Sequence, residues 1–300
     1  MARIIITGAA GRLGAALVES WSPRHQVVGF NRHQLNLAEP DLLSQTLEPL
    51  DFDVLVNCAA LTNVDYCETH EAEAFAINAE AVRHLGILAA KKKARVLHIS
   101  TDYVLSGTQQ TPYSETDPAE PISVYGHSKR AGEIALLETS PQHLAVRVSW
   151  VFGPHRPSFI DAMLLRAVTE ERISAVADKF STPSYTLDLA HLLEPWLADL
   201  TSGGILHLCN SGSCSWQEYA AHALAVAHAL GLPMRAKEVD SIQLASLTAF
   251  VAARPVYTRL SMERYISETG ITPRPWQEAV EEYVRTFGKK CIASALAAKP

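Results

Sequence analysis

The 300-residue sequence is as informative in what it lacks as in what it holds. No apolar run approaches the roughly 18 residues that a membrane span needs. Met1 to Thr7 reads straight into a strand pattern, with neither the apolar stretch nor the cleavage site of a secretory signal, so a cytoplasmic protein that spans no membrane is expected. Cysteine is sparse: Cys58, Cys67, Cys209, Cys214 and Cys291 form an odd set without metal-ligand spacing, and a chain of this size needs no disulfide staples. No metal is expected. Formal charge is 26 minus 32, or −6, and the one basic run, Lys91-Lys92-Lys93, falls where a helix should be ending, which argues against a nucleic-acid partner. There is no internal repeat. The hydrophobic fraction of 48% is ample for a real core, so one large domain or two are expected.

What is present starts at the N-terminus. Arg3 to Thr7 is a short β-branched run, followed at once by Gly8-Ala9-Ala10-Gly11-Arg12-Leu13-Gly14 and then by a helical pattern. Strand, glycine turn and helix in that order suit a dinucleotide: Gly8 permits the tight turn, Gly11 lets the backbone approach a pyrophosphate, and Gly14 lets helix and strand pack closely. A plain turn without ligand has the same local pattern. A second strand, Gln26 to Phe30, ends at Asn31-Arg32, where an acidic residue would bind the ribose hydroxyl of NAD. With an amide and a guanidinium there instead, Arg32 suits a 2′-phosphate, so NADPH is favoured and NADH stays possible; an ordinary loop arginine is the alternative. The third strand ends in Cys58-Ala59-Ala60, small residues that would floor the cofactor site, and Asn78 on the next helix reads as a structural amide.

The fourth strand closes on Ser100-Thr101-Asp102-Tyr103, and a polar loop leads to Val124-Tyr125-Gly126-His127-Ser128-Lys129. If that segment is helical, Tyr125 and Lys129 share a face, an arrangement for moving a proton. The spacing alone equally fits a surface pair. His98 reads as a packed core histidine, and His127 points to a different helix face. A fifth strand, Leu144 to Val148, leads to Ser149-Trp150. Beyond residue 153 the alternation loosens. Helices are expected at Phe159–Glu170, Leu187–Leu200, Trp216–Leu230, Ile242–Leu247 and Trp276–Phe287, with strands at Ile173–Ala177 and Ile205–Cys209. Trp216 and Trp276 read as core anchors. The expected fold is α/β, a Rossmann-type doubly wound parallel sheet with a smaller C-terminal α/β substrate lobe. The cofactor domain would cover 1–154 with 186–209 returning to it, the lobe 155–185 and 210–288, and a loose tail 289–300.

Four segments together resemble the extended short-chain dehydrogenases: Gly8-x-x-Gly11-x-x-Gly14, Ser100-Thr101-Asp102-Tyr103-Val104, Tyr125-Gly126-x-Ser128-Lys129, and Arg147-Val148-Ser149-Trp150-Val151-Phe152-Gly153. Within that group the chain is similar to the dTDP-4-dehydrorhamnose reductase family, which reduces a 4-keto nucleotide sugar with NADPH or NADH. The resemblance implies Thr101, Tyr125 and Lys129 as catalytic residues. It implies Gly8, Gly11, Arg12, Leu13 and Gly14 at the pyrophosphate, and Cys58, Ala59, Ala60 and Lys129 along the cofactor's ribose and nicotinamide. Thr62 and Trp150 would face the sugar. Tyr103 stands where dehydrating relatives carry a glutamate, which disfavours dehydration. The Asp-Gln-x-Gly-x-Pro-Thr pattern is replaced by Asp178-Lys179-Phe180-Ser181-Thr182-Pro183-Ser184, and Arg-Pro-x-x-Ser-x-Leu by Arg254-Pro255-Val256-Tyr257-Thr258-Arg259-Leu260. Both changes leave the identity of the sugar nucleotide open. Some relatives form a metal-linked dimer through a glutamate on the first helix; Ala15 and Ala16 supply no carboxylate, and a homodimer of another kind stays open. The resemblance also covers a different class, the cofactor-binding regulatory subunit of methionine adenosyltransferase, and an epimerase or reductase of another nucleotide sugar.

Overall fold

A computed structural model describes residues 1–198 and 202–297. The chain opens with β1 (Arg3–Thr7), α1 (Arg12–Trp21), β2 (Gln26–Phe30), α2 (Pro40–Leu47) and β3 (Val54–Asn57). Then come α3 (Val64–Thr69), α4 (Glu71–Phe75), α5 (Ala81–Lys91), β4 (Arg95–Thr101), α6 (Val124–Leu137) and β5 (Leu144–Val148). The second half holds β6 (Val151–Phe152), α7 (Phe159–Thr169), β7 (Ile173–Val176), β8 (Phe180–Ser181), β9 (Ser184–Tyr185) and α8 (Thr186–Leu193). It ends with β10 (Gly204–His207), β11 (Cys214–Ser215), α9 (Trp216–Ala229), β12 (Val239–Ile242), α10 (Glu263–Thr269) and α11 (Trp276–Ala297).

A run such as Ile4-Ile5-Ile6 is apolar on both faces of a strand and therefore needs cover on both sides, the situation of a parallel sheet. Ile4 and Ile6 enter one core with Leu13, Leu17 and Trp21 of α1, while Ile5 enters the other with Leu43, Leu47, Val82 and Leu85 of α2 and α5. The sheet has the order β10-β5-β4-β3-β1-β2, and every neighbouring pair is parallel. After β2 the chain crosses back to the far side of β1, so a crevice opens beyond the C-terminal ends of β1 and β3. The α/β, doubly wound architecture is thus present, with β10 as its far edge. A separate aromatic-rich cluster, including Phe152, Tyr185, Tyr219, Trp276 and Tyr283, holds the second half together.

Between α4 and α5 the helix passes through a π-turn at Ala76–Glu80. The turn aims Asn78 at the loop after β3, where its Oδ1 accepts from the Leu61 N–H at 2.8 Å and its Nδ2 donates to the Leu61 carbonyl at 3.0 Å. Nδ2 also donates to the Ser128 hydroxyl of α6 at 3.0 Å. A Cβ on Gly132 would lie 2.1 Å from the Asn78 carbonyl oxygen, so α6 sits directly against the π-turn.

Three local expectations differ. Ile242–Leu247 is not a helix: Val239–Ile242 is a strand paired parallel with Ile173–Val176, and only a short 3-10 turn, Leu244–Ser246, follows. Tertiary pairing outweighs the local apolar spacing there. The expected tail at 289–300 is helical as far as Ala297, because α11 continues and Ile292 is buried in the aromatic-rich cluster; 298–300 lie outside the described residues. The helix expected to reach Leu200 ends as α8 at Leu193 and tightens to 3-10 at Glu194–Leu197, where Pro195 lacks the N–H needed to continue; 199–200 lie outside the described residues.

Candidate active site

All the parallel strands deliver their last residues to one edge, and there a cavity of about 600 Å³ runs from the glycine turn to α6. Gly8, Gly11, Arg12, Leu13, Asn31, Arg32, Cys58, Ala59, Ala60, Thr62, Thr101, Tyr125, Lys129 and Trp150 all line it. Among the site residues read from the sequence, Gly14 alone is absent from its wall. Its position is explained by packing, since a Cβ there would lie 2.3 Å from the Gly8 carbonyl oxygen inside the turn.

Gly8 has φ +68°, and a Cβ on it would come within 2.7 Å of the Ala59 nitrogen. That position combines left-handed backbone with close approach to the floor, so glycine is required. Helix α1 starts at Arg12 with no side-chain cap, which leaves its first N–H groups aimed along the helix axis at the cavity. A backbone cradle beside an uncapped helix start fits a pyrophosphate. Arg32 is exposed at the end of β2 and makes no ion pair among the described residues, so its guanidinium is open to a phosphate. Asn31 is occupied differently: its Oδ1 accepts from the His33 and Gln34 N–H groups and shapes the turn. Arg12 does not hold its charge free either. Its guanidinium donates to the carbonyls of Val151 (3.0 Å), Arg156 (3.1 Å) and Pro157, while Arg156 Nε returns a bond to the Ala10 carbonyl at 3.0 Å. The glycine turn is therefore strapped to the segment after β5.

At the other end, Ser123 caps α6 by accepting from the Gly126 N–H at 3.2 Å, which starts the helix just before Tyr125. Tyr125, Lys129 and Glu133 recur at i, i+4 and i+8 on its buried face. Burial pushes the Tyr125 phenol above its ordinary range, and the Thr101 hydroxyl acts in the opposite direction. Lys129 is pulled down to about 8 by burial, with Glu133 opposing. Its Nζ does not rest on the phenol: it donates to the Ile99 carbonyl at 2.7 Å and meets His98 Nε2 at 3.1 Å. The shared helix face expected from the sequence is present, and the hydrogen-bond partners of Nζ lie on β4. His98 is a packed core histidine, but one that touches the lysine. Glu133 is buried, yet Arg147 and the Ser100 hydroxyl hold its carboxyl below the ordinary value.

Several residues at this edge escaped sequence reasoning. Asp102 is buried, and its Oδ2 accepts from the hydroxyls of Ser149 (3.0 Å), Ser181 (3.1 Å) and Thr258 (2.5 Å). Lys179 is buried, donates to the Pro255 carbonyl, and lies 5.1 Å from the Tyr103 ring centre. Arg254 grips Asp65 with both ends of its guanidinium, at 3.0 and 2.7 Å, and stacks on Phe250 at 3.7 Å. The Lys179–Pro255 and Ser181–Thr258 bonds join the two loops whose sequences depart from the family pattern, and Arg254 ties the second of them to α3. The departures themselves were the available signal. Trp150 adopts φ +40°, a conformation costly for a tryptophan, and its indole N–H is buried without an acceptor among the described residues. A polar ligand atom would satisfy it. Trp216, half-buried, packs on Trp150 at 5.8 Å, while Trp276 is buried in the core of the second half.

Comparison with known proteins gives a consistent result. The family model described as RmlD substrate binding domain matches residues 2–288. The spore coat polysaccharide biosynthesis protein SpsK of Bacillus subtilis is 34% identical, covering 97% of this chain and 100% of its own length. A dTDP-4-dehydrorhamnose reductase of Burkholderia thailandensis is 35% identical over 94% of this chain and 98% of its own. Among solved structures, dTDP-4-dehydrorhamnose reductase from Bacillus anthracis in complex with NADP superimposes with a TM-score of 0.89 at 30% identity, covering 95% of this chain and 99% of that one. No helix among the described residues is long and apolar enough to cross a membrane.

Proposed function

The chain belongs to the RmlD substrate binding domain family, and from that premise we propose that it reduces the ketone of a nucleotide-linked deoxysugar with NADPH, converting dTDP-4-dehydro-L-rhamnose to dTDP-L-rhamnose. One observation carries the reading: a single cavity has a dinucleotide cradle at one end and Thr101, Tyr125 and Lys129 at the other. When bound, the cofactor supplies the hydride. Tyr125 gives its phenolic proton to the ketone oxygen, and Thr101 holds that oxygen by a hydrogen bond. Lys129 balances the negative charge that develops on the phenol. The orphaned Trp150 N–H and the ring of Trp216 behind it offer the sugar one polar contact on an aromatic wall. Arg32 selects the 2′-phosphate. Residues 1–154 with 186–209 serve the cofactor, and 155–185 with 210–288 serve the nucleotide sugar.

A coupled screen that follows NADPH and NADH absorbance against dTDP-4-keto-6-deoxyhexoses and related nucleotide sugars tests this. Consumption of NADPH with the dTDP-linked 4-ketosugar is the expected result. A flat response across the panel with NADPH binding intact would replace the reading by that of a regulatory subunit.

A further inference from the structure

Behind the cavity, four buried side chains form a line of which the proposed reaction uses only the last: Thr7, Asn57, His98 and Lys129. They come from the ends of β1 and β3, from within β4, and from α6. The Thr7 hydroxyl donates to Asn57 Oδ1 at 2.5 Å, Asn57 Nδ2 meets His98 Nδ1 at 2.9 Å, and His98 Nε2 meets Lys129 Nζ at 3.1 Å. The polarity of the line is settled at one point. Asn57 Oδ1 also lies 3.2 Å from the backbone nitrogen of Ala59, and a backbone N–H can only donate. The amide oxygen must therefore face Ala59, so the amide NH₂ faces His98.

The rest follows by donor and acceptor logic. An amide NH₂ donates to His98 Nδ1, which makes Nδ1 the unprotonated nitrogen of a neutral imidazole and puts the proton on Nε2. That N–H points at Lys129. A fully protonated ammonium has no acceptor to offer it, whereas a neutral amine accepts from Nε2–H through its lone pair and still donates to the Ile99 carbonyl at 2.7 Å. We propose that Asn57 and His98 are positioning residues that set the protonation state of Lys129, the amide choosing the histidine tautomer and the tautomer disfavouring the ammonium. Burial holds His98 neutral, in keeping with this assignment.

The other groups facing Lys129 do not reverse the effect. Glu133, one turn further along α6, would favour the ammonium, but its carboxylate is committed to Arg147, Arg130 and Ser100. Burial pushes the Cys58 thiol, on the β3 side, up to about 12, and Tyr125 is likewise raised, so neither is an anion at neutral pH. On the proposed reading of the reaction, on which this consequence rests, Lys129 is poised rather than permanently charged. It takes up one proton from solvent as Tyr125 gives its own to the ketone oxygen, and that proton then restores the phenol, so one solvent proton is consumed for each hydride delivered.

The test uses the whole protein and needs neither substrate nor turnover, so its failure is distinguishable from failure of the proposed reaction. Protein carrying ¹⁵N-labelled histidine and ¹³Cε-labelled lysine is followed by NMR, with Lys129 assigned by loss of its signal in Lys129→Met. The wild type should show His98 as the Nε2–H tautomer, and Lys129 should lose its proton at lower pH than the exposed lysines. Asn57→Asp reverses the line: the new carboxylate accepts from Nδ1–H, Nε2 becomes an acceptor, and proton affinity at Lys129 should rise on the order of ten-fold. An Nδ1–H tautomer in the wild type overturns the proposal without any variant. So does a switched tautomer in Asn57→Asp with an unmoved Lys129 midpoint.

Discussion

The glycine turn at Gly8–Gly14 and the loop at Asp178–Ser184 border the same edge of the sheet, yet they meet their tasks by opposite means. At Gly8 the backbone itself is the working part. A φ of +68° and a Cβ that would lie 2.7 Å from Ala59 leave one residue type able to stand there. In the later loop the working parts are side-chain hydroxyls converging on one acceptor. Ser181 occupies the place of a family glycine and donates to Asp102, and Thr258 occupies the place of a family serine and donates to the same carboxylate at 2.5 Å. Lys179 replaces a glutamine and ties its loop to the Pro255 carbonyl of the other divergent loop. A site made of backbone constrains residue identity, whereas a site made of hydrogen bonds constrains only which groups can donate and accept.

The contrast can be broken in several places. The largest effect is expected at the proposed proton donor: Tyr125→Phe should lower kcat with the 4-ketosugar by roughly 10²- to 10⁴-fold, with NADPH affinity by fluorescence titration nearly unchanged. On the other side of the comparison, Asp102→Ala removes the acceptor of three hydroxyls and should reduce stability by about 2–4 kcal/mol in urea unfolding. Asp102→Asn, which keeps an acceptor, should lose less. If both variants unfold like the wild type, Asp102 does not hold the lobe to the sheet. Arg32→Ser should raise KM for NADPH roughly ten-fold, leaving kcat and KM for NADH little altered.

The smallest effect concerns two buried lysines, Lys179 of the later loop and Lys129 of α6 at the other end of the cavity from the glycine turn. Lys129 and Lys179 are both lowered to about 8 by burial, from 10.5. Between those values the unfolded chain holds a proton that the folded chain has released, so stability rises with pH across that window. Below about 8 both states are protonated and the gain is absent. Buried tyrosines such as Tyr125, raised above 10, act in the reverse sense once the unfolded phenols ionise, so the rise is read between about pH 8 and 10. Lys179→Met should flatten part of this slope and Lys129→Met the remainder. Unchanged slopes in both would mean that the lysines are not the source.

Legibility in the sequence follows the same division. Strands, the glycine turn and the four-residue interval on α6 are local features, and β1 to β5 with α1 and α6 were readable from spacing and residue type. Tyr125 and Lys129 share the helix face that their four-residue interval implies. Partnerships across long separations were not readable: Asp102 with Thr258 and Asp65 with Arg254 join residues 156 and 189 apart. Arg12 illustrates the limit. Its place beside the turn was legible, but not that its charge would be spent on the carbonyls of Val151, Arg156 and Pro157. Likewise Ile242–Leu247 carries a helical apolar spacing, but Ile242 ends a strand paired with β7 and only a 3-10 turn follows.

The π-turn at Ala76–Glu80 has the character of a one-residue insertion that the fold cannot give back. Deleting any one residue there would let the segment relax into a continuous α-helix, and because each helical residue turns the axis by about 100°, everything on one side of the deletion would rotate relative to the other. If α5 keeps its grip through Val82 and Leu85, Asn78 swings away from Leu61 and Ser128, and the loop after β3 and helix α6 lose their common clasp. If Asn78 holds, α5 turns its apolar stripe off the sheet. A deletion scan across 71–91 should therefore find its least tolerated positions within one turn of Asn78, and substitutions at the exposed Glu80 should pass nearly unnoticed.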